Sequence, residues 1–334
     1  MDNQRLLIWA TFGMLLWMTY QAWLADYGPA ATDPAQTPAG QVESTTANDG
    51  GIPALPQDAT DAPAISSGDS APALDAEPQV TAENAVPVIN VQTDVLDMDI
   101  STVGGTLVRA RLLGYPISKE QPDNLVELLS PGAVEYGLIR TGLNDAGSGA
   151  KADHNAVYAS ERSEYVLGGA AELIVPLTWS NEQGITVEKT IRFTPGSYRV
   201  DISHRLINNS DVEWAGAEYA QLRRRTSTNE RSMFDVDSYS TDGPIIYDGE
   251  KSAKLDRDDL VSDGPYAIKA SNGWVGAIQH HFLSAVVPTA DGQYNYNVAV
   301  SGNVSTASLI QTPIIRVAPG GEHTFETTTF IGPK

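Results

Sequence analysis

The sequence predicts an all-β domain, a large β-sandwich, carried behind one N-terminal transmembrane helix and a disordered linker. Three observations predict it. Leu6 to Leu24 is a run of 19 residues with no formal charge. The next sixty residues are rich in Ala, Pro, Thr, Asp and Gly and nearly empty of aromatics. From Val88 onward, apolar and polar residues alternate in short runs separated by turn signals.

At about 1.5 Å per residue, the first run spans roughly 28 Å, close to the hydrocarbon core of a bilayer. Leu6, Trp9, Leu15, Trp17, Trp23 and Leu24 are its membrane-anchor residues, and Trp23 with Tyr20 suits an interface. Ala22-Trp23-Leu24 places bulky residues where a signal-peptide cleavage site needs small ones, so an uncleaved anchor over residues 1–25 is expected. Arg5 is the only basic residue before Arg109, whereas thirteen Asp and Glu lie between them. This asymmetry puts the N-terminus in the cytoplasm and the rest across the membrane.

Residues 26–87 cannot bury enough apolar surface to offset their conformational entropy, and read as an acidic, Pro/Ala-rich disordered linker. Residues 88–334 form the β-domain. Val88–Ser101 alternates with period two, Gly104-Gly105 reads as a hairpin turn needing positive φ, and Thr106–Leu113 alternates again. Ala171–Trp179, Ile185–Thr194 and Tyr198–Asn208 follow as strands, the last with Val200, Ile202, His204 and Leu206 on one face. Further strand-like runs cover Tyr266–Ala270, Gly273–Val287, Tyr294–Val300, Ala307–Ile315 and His323–Ile331. No amphipathic helix is predicted after the linker. Gly332-Pro333 reads as a turn or linker after the last strand.

Composition narrows the chemistry. A net charge of -21 argues against nucleic acid as a partner, because nothing would neutralise phosphate. The absence of cysteine excludes disulfides, thiolate zinc sites and a cysteine nucleophile. His280-His281 is the most conspicuous pair. In a single strand over Gly273–Val287 the two would face opposite ways, which suits packing better than shared metal binding or catalysis. Arg223-Arg224-Arg225 reads as a solvated edge or loop; its functional alternative is contact with anionic lipid headgroups or an acidic partner. The acids of Lys254–Gly264 lack EF-hand spacing, and no G-x-S-x-G elbow occurs. Neither a catalytic residue, a cofactor site nor a metal site is expected.

Several segments, taken in order, resemble the bacterial YidC-type membrane protein insertases. They are "MDNQR" with an apolar run ending in "QAW", Val91–Pro116, "YAQLRR" (Tyr219–Arg224), "YST" (Tyr239–Thr241), Asn272–Pro288 and the closing "TTTFIGPK". The resemblance implies a Gram-negative inner-membrane protein whose periplasmic domain is a mutarotase-like β-supersandwich without an established enzymatic role. It implies as partners the lipid bilayer, the Sec translocon, the SecDF accessory complex and nascent membrane proteins. The family continues past the position of Lys334 into further membrane helices that carry the insertase groove, so the chain is expected to be the N-terminal part of such a protein. Two rivals remain. One is an anchored carbohydrate-active enzyme, with His204, His280 or His281 converging on Glu218 as acid and base. The other is an anchored binding module.

Overall fold

Period-two runs punctuated by Gly, Pro and Asn have to pair into sheets, and they do. The computed structural model describes residues 87–334 except 133–135, 148–150 and 226–241. The expected membrane helix, the linker up to residue 86 and Tyr239–Thr241 lie outside the described residues. No helix among the described residues is long and apolar enough to cross a membrane.

In chain order the strands are β1 (Val88–Gln92), β2 (Leu96–Ser101), β3 (Thr106–Ser118), β4 (Gln121–Leu129), β5 (Gly137–Asp145), β6 (Glu164–Val166) and β7 (Leu173–Ser180). They continue as β8 (Ile185–Phe193), β9 (Arg199–Asn208), β10 (Trp214–Arg225), β11 (Gly243–Tyr247), β12 (Ser252–Lys254) and β13 (Tyr266–Ala270). The last six are β14 (Trp274–Gln279), β15 (Phe282–Pro288), β16 (Gln293–Ser301), β17 (Val304–Thr312), β18 (Ile315–Val317) and β19 (Glu322–Pro333). One helix, α1 (Arg257–Ser262), sits between β12 and β13.

An 11-stranded sheet runs β13-β16-β17-β10-β5-β3-β2-β1-β6, with β18 on β10 and β4 on β3. An 8-stranded sheet runs β12-β11-β14-β15-β19-β9-β8-β7. Their inward faces share one hydrophobic core, in which Leu107, Leu143, Leu222 and Leu309 of the first sheet join Val187, Ile191, Val200, Leu206 and Val286 of the second. The expected all-β sandwich is therefore present.

Local chemistry explains the turns. Thr93 Oγ1 accepts hydrogen bonds from the N–H groups of Val95 (3.2 Å) and Leu96 (2.9 Å). That side-chain turn splits the expected Val88–Ser101 strand into β1 and β2. Gly104 and Gly105, at φ +69° and +57°, make the expected turn into β3. A Cβ on Gly104 would lie 2.5 Å from the His154 carbonyl oxygen, so crowding as well as φ demands glycine. On β9 the expected alternation holds: Val200, Ile202, His204 and Leu206 are buried, while Arg199 and Arg205 are exposed.

Several expectations are corrected. Gly273–Val287 is not one strand. It is the hairpin β14–β15, with Gln279 paired to Phe282 and His280-His281 forming the two-residue turn. His280 takes φ +48°, its N–H donates to Asp242 Oδ1 at 2.8 Å, and both histidines are exposed. The apolar residues on either side hid the reversal, because no Gly, Asn or Asp marks it. Arg223-Arg224-Arg225 is neither edge nor loop: it ends β10, which lies between β5 and β17. Gly332-Pro333 is neither turn nor linker but the end of β19, where Pro333 pairs with Phe282. The short helix α1 was not expected; six residues capped by Asp256, whose side chain accepts from the Asp258 N–H, are too few to show a period.

Gly104→Ala should destabilise the domain by more than about 2 kcal/mol, through strain at positive φ and the clash with His154. His280→Gln and His281→Gln, in an exposed turn, should each stay within about 1 kcal/mol of the parent. Thermal denaturation of the three variants checks both, and equal melting losses for Gly104→Ala and the histidine variants would contradict the assigned turns.

Candidate functional site

The inward face of β8 reads Ile185, Val187, Lys189, Ile191, Phe193, and a lysine has no apolar reason to be there. Lys189 is fully buried. Its Nζ donates to the Gly104 carbonyl at 2.7 Å and the Thr141 carbonyl at 3.3 Å, and lies 5.9 Å from the Tyr158 ring centroid. Beside it on β9, in register, is His204, also fully buried. His204 Nδ1 is 2.9 Å from Glu218 Oε1, and its Nε2 is 3.4 Å from Thr141 Oγ1. Glu218, on β10 of the opposite sheet, takes its second hydrogen bond from Thr327 Oγ1 of β19 at 2.8 Å. Five side chains from five strands thus join the two sheets through one polar cluster.

Burial dominates its electrostatics. It pushes the Lys189 amine from an ordinary 10.5 down to about 7, against the pull of Glu218. It also holds the His204 imidazole below its usual value, although the Glu218 hydrogen bond acts the other way. A neutral His204 that donates from Nδ1 to Glu218 leaves Nε2 free to accept from Thr141, so the network fixes one tautomer.

A second buried group lies on the other face of the 11-stranded sheet. The backbone N–H of His154 donates to the Tyr219 hydroxyl (3.0 Å), and the ring Nδ1 lies 2.7 Å from the same oxygen. Burial, with help from Arg140, pushes His154 down to about 4, and burial raises the Tyr219 phenol well above its ordinary value. This pair pins the loop around residues 151–158 over β5 and β10. A surface cleft of about 200 Å³ lies elsewhere, on the outward side of β8, β9 and β19, where Arg192, Arg199, Asp201 and Glu326 line it.

Of the acid–base partners considered from sequence, the structure joins His204 to Glu218 and leaves His280 and His281 apart in their turn. The joined pair does not face a cleft. Its polar atoms are engaged by Thr141 and Thr327, and the side chains are 0% and 3% exposed. Among the described residues, no group of three His, Asp or Glu is placed to hold a metal ion. Sequence reasoning passed over Lys189, Thr141, Thr327, His154 and Tyr219. For Lys189 the signal was present: it is the polar break in an inward-facing alternation.

These features define a two-sheet β-supersandwich domain braced internally by ionisable groups. Residues 88–334 match the family model described as the YidC periplasmic domain. The whole chain is 36% identical to the membrane protein insertase YidC of Thioalkalivibrio sulfidiphilus and 33% identical to that of Methylococcus capsulatus, covering 59% and 58% of those proteins. The chain belongs to the YidC family and spans a little under three fifths of the length of these curated relatives. Among solved structures, a galactose mutarotase related enzyme from Lactobacillus acidophilus aligns with TM-score 0.48 at 10% identity, over 73% of this chain and 97% of that one. A galactose mutarotase-like protein from Lactobacillus casei aligns with TM-score 0.47 at 9% identity, over 73% of this chain and 99% of that one.

A lysine with a depressed folded pKa binds fewer protons in the folded than in the unfolded state between pH 7 and 10.5. Stability should therefore rise with pH across that window, by at most roughly 1.4 kcal/mol per unit from this residue. Lys189→Met should remove that part of the slope in denaturant titrations run at several pH values; an unchanged slope would refute a neutral Lys189. Glu218→Ala strands the His204 N–H and the Thr327 hydroxyl, and should cost roughly 2–4 kcal/mol, with Glu218→Gln costing less.

Proposed function

We propose that this chain is part of an inner-membrane insertase that inserts and folds membrane proteins. The carrying observation is the similarity to membrane protein insertases along the entire chain, 36% identical in one relative. In this reading Leu6–Leu24 is the anchor, held by Leu6, Trp9, Leu15, Trp17, Trp23 and Leu24. Residues 1–25 span the bilayer with the N-terminus cytoplasmic, 26–87 form the linker, and 88–334 form the periplasmic domain. Its partners are the lipid bilayer, nascent membrane proteins, the Sec translocon and the SecDF complex. Insertion requires no bond making or breaking; it lowers the cost of moving polar segments into hydrocarbon. The burial of His204 and Glu218 fits a non-enzymatic domain better than a carbohydrate-active one, since an acid–base pair must reach its substrate.

Depletion of this gene product in its own bacterium should leave newly made inner-membrane proteins uninserted, read by pulse-labelling and protease accessibility, and re-expression should restore them. Normal insertion after full depletion would overturn the proposal. For topology, protease added to spheroplasts should digest residues 88–334, and Leu15→Arg should disfavour membrane insertion by roughly 2.5–3.5 kcal/mol. Full protection of the β-domain would contradict the orientation.

A further inference from the structure

Alternation along β10 sends Glu218, Ala220 and Leu222 into the core, and Tyr219, Gln221, Arg223 and Arg225 to the outward face. Arg140 on β5 shares that face, because it pairs with Gln221 and so stands diagonal to Arg223. Neighbouring strands on both sides fix these positions: Arg223 is opposite Leu138 and Thr306, and the Arg225 N–H donates to the Tyr136 carbonyl at 2.8 Å. The Arg223 guanidinium lies 5.9 Å from the Tyr136 ring centroid. The Nε atoms of Arg223 and Arg225 are buried and make no hydrogen bond among the described residues. A chain of net charge -21 thus gathers fixed, half-buried guanidinium groups on one sheet face. Such groups match a carboxylate better than any other common polypeptide group.

We propose that the outward face of β10 at Arg223 and Arg225 is a docking surface for an acidic polypeptide, and that its occupant is this chain's own segment 47–86. That segment carries seven acids (Asp49, Asp58, Asp61, Asp69, Asp75, Glu77 and Glu83) and no Lys or Arg. Its junction with the sheet is well placed. Val88 pairs with Ser101, Ser101 with Thr106, and Leu107 with Ile139, which sets Thr106 beside Arg140 and Gln221. The segment therefore joins the sheet on the same cross-strand row as the arginine face, four strand spacings away, about 19 Å. At a maximum of about 3.5 Å per residue, Glu83 falls short of that distance, while Glu77 and Asp75 exceed it with slack. Glu77 and Asp75 are therefore the first acids, counting back from Val88, long enough in reach to make the contact. Tethering makes the encounter intramolecular, so charge attraction alone suffices at modest affinity, and salt weakens it.

The lack of cysteine permits clean double labelling. Ala73→Cys and Ala299→Cys carry spin labels in the full chain in neutral detergent, and pulsed electron resonance reads their separation. A short-distance population is expected at about 10 mM salt and its loss at about 0.5 M. It should also be lost in Asp75→Asn/Glu77→Gln and in Arg223→Gln/Arg225→Gln, and retained in Arg223→Lys/Arg225→Lys. The acid variants lie outside the β-domain, so they test the idea even if the arginine variants misfold. One broad distribution under all conditions overturns the proposal. So does a broad distribution accompanied by binding of phosphatidylglycerol vesicles that depends on Arg223 and Arg225, since the occupant is then a membrane. None of these readouts depends on insertase activity.

Discussion

The interior contact between Lys189, His204 and Glu218 constrains the rest of this domain. Ionisable groups taken out of water need partners at fixed distances, and here the partners belong to opposite sheets. The carbonyls of Gly104 and Thr141 must face Lys189, and Thr141 and Thr327 must reach His204 and Glu218. Apolar packing tolerates small sliding movements between two greasy faces. A hydrogen-bonded cluster spanning five strands does not, so it specifies one register between the sheets.

The β2–β3 turn follows from the same constraint. Gly104 presents its carbonyl to Lys189 only because the chain turns with two successive positive φ values, and it touches the His154 backbone closely enough to exclude any side chain. The turn, the loop carrying His154 and the buried lysine are thus parts of one assembly. Tyr219 extends that assembly through the sheet to its other face, where its hydroxyl meets both the backbone and the ring of His154.

Much of the fold was legible where one sheet face is wet. On β8 and β9 the alternation of buried and exposed residues gave both strands and the facing of His204. It failed for β10, buried almost continuously from Gly216 to Leu222, because loop residues cover the face that would otherwise be polar. The hairpin at His280-His281 was hidden for another reason: a histidine occupies the positive-φ position where Gly, Asn or Asp would have marked a turn. Of the site, His204 and Glu218 could be named from sequence, but their meeting across two sheets is a tertiary fact that no local pattern carries. Lys189 was visible as an anomaly and was missed because a lone lysine in a strand is usually read as exposed.

Strand β19 lies between β15 and β9: Glu322–Phe330 pairs with β9, Thr327–Pro333 with β15, and Thr327–Phe330 with both. Just past its end, the Lys334 N–H donates to the His281 carbonyl at 2.9 Å and stitches the strand to the hairpin turn. A pull on Lys334 along the strand axis would load two ladders of hydrogen bonds together, in shear, rather than peeling them one at a time. The β14–β15 turn then acts as a mechanical clasp, and this end of the domain is built to bear tension without unravelling.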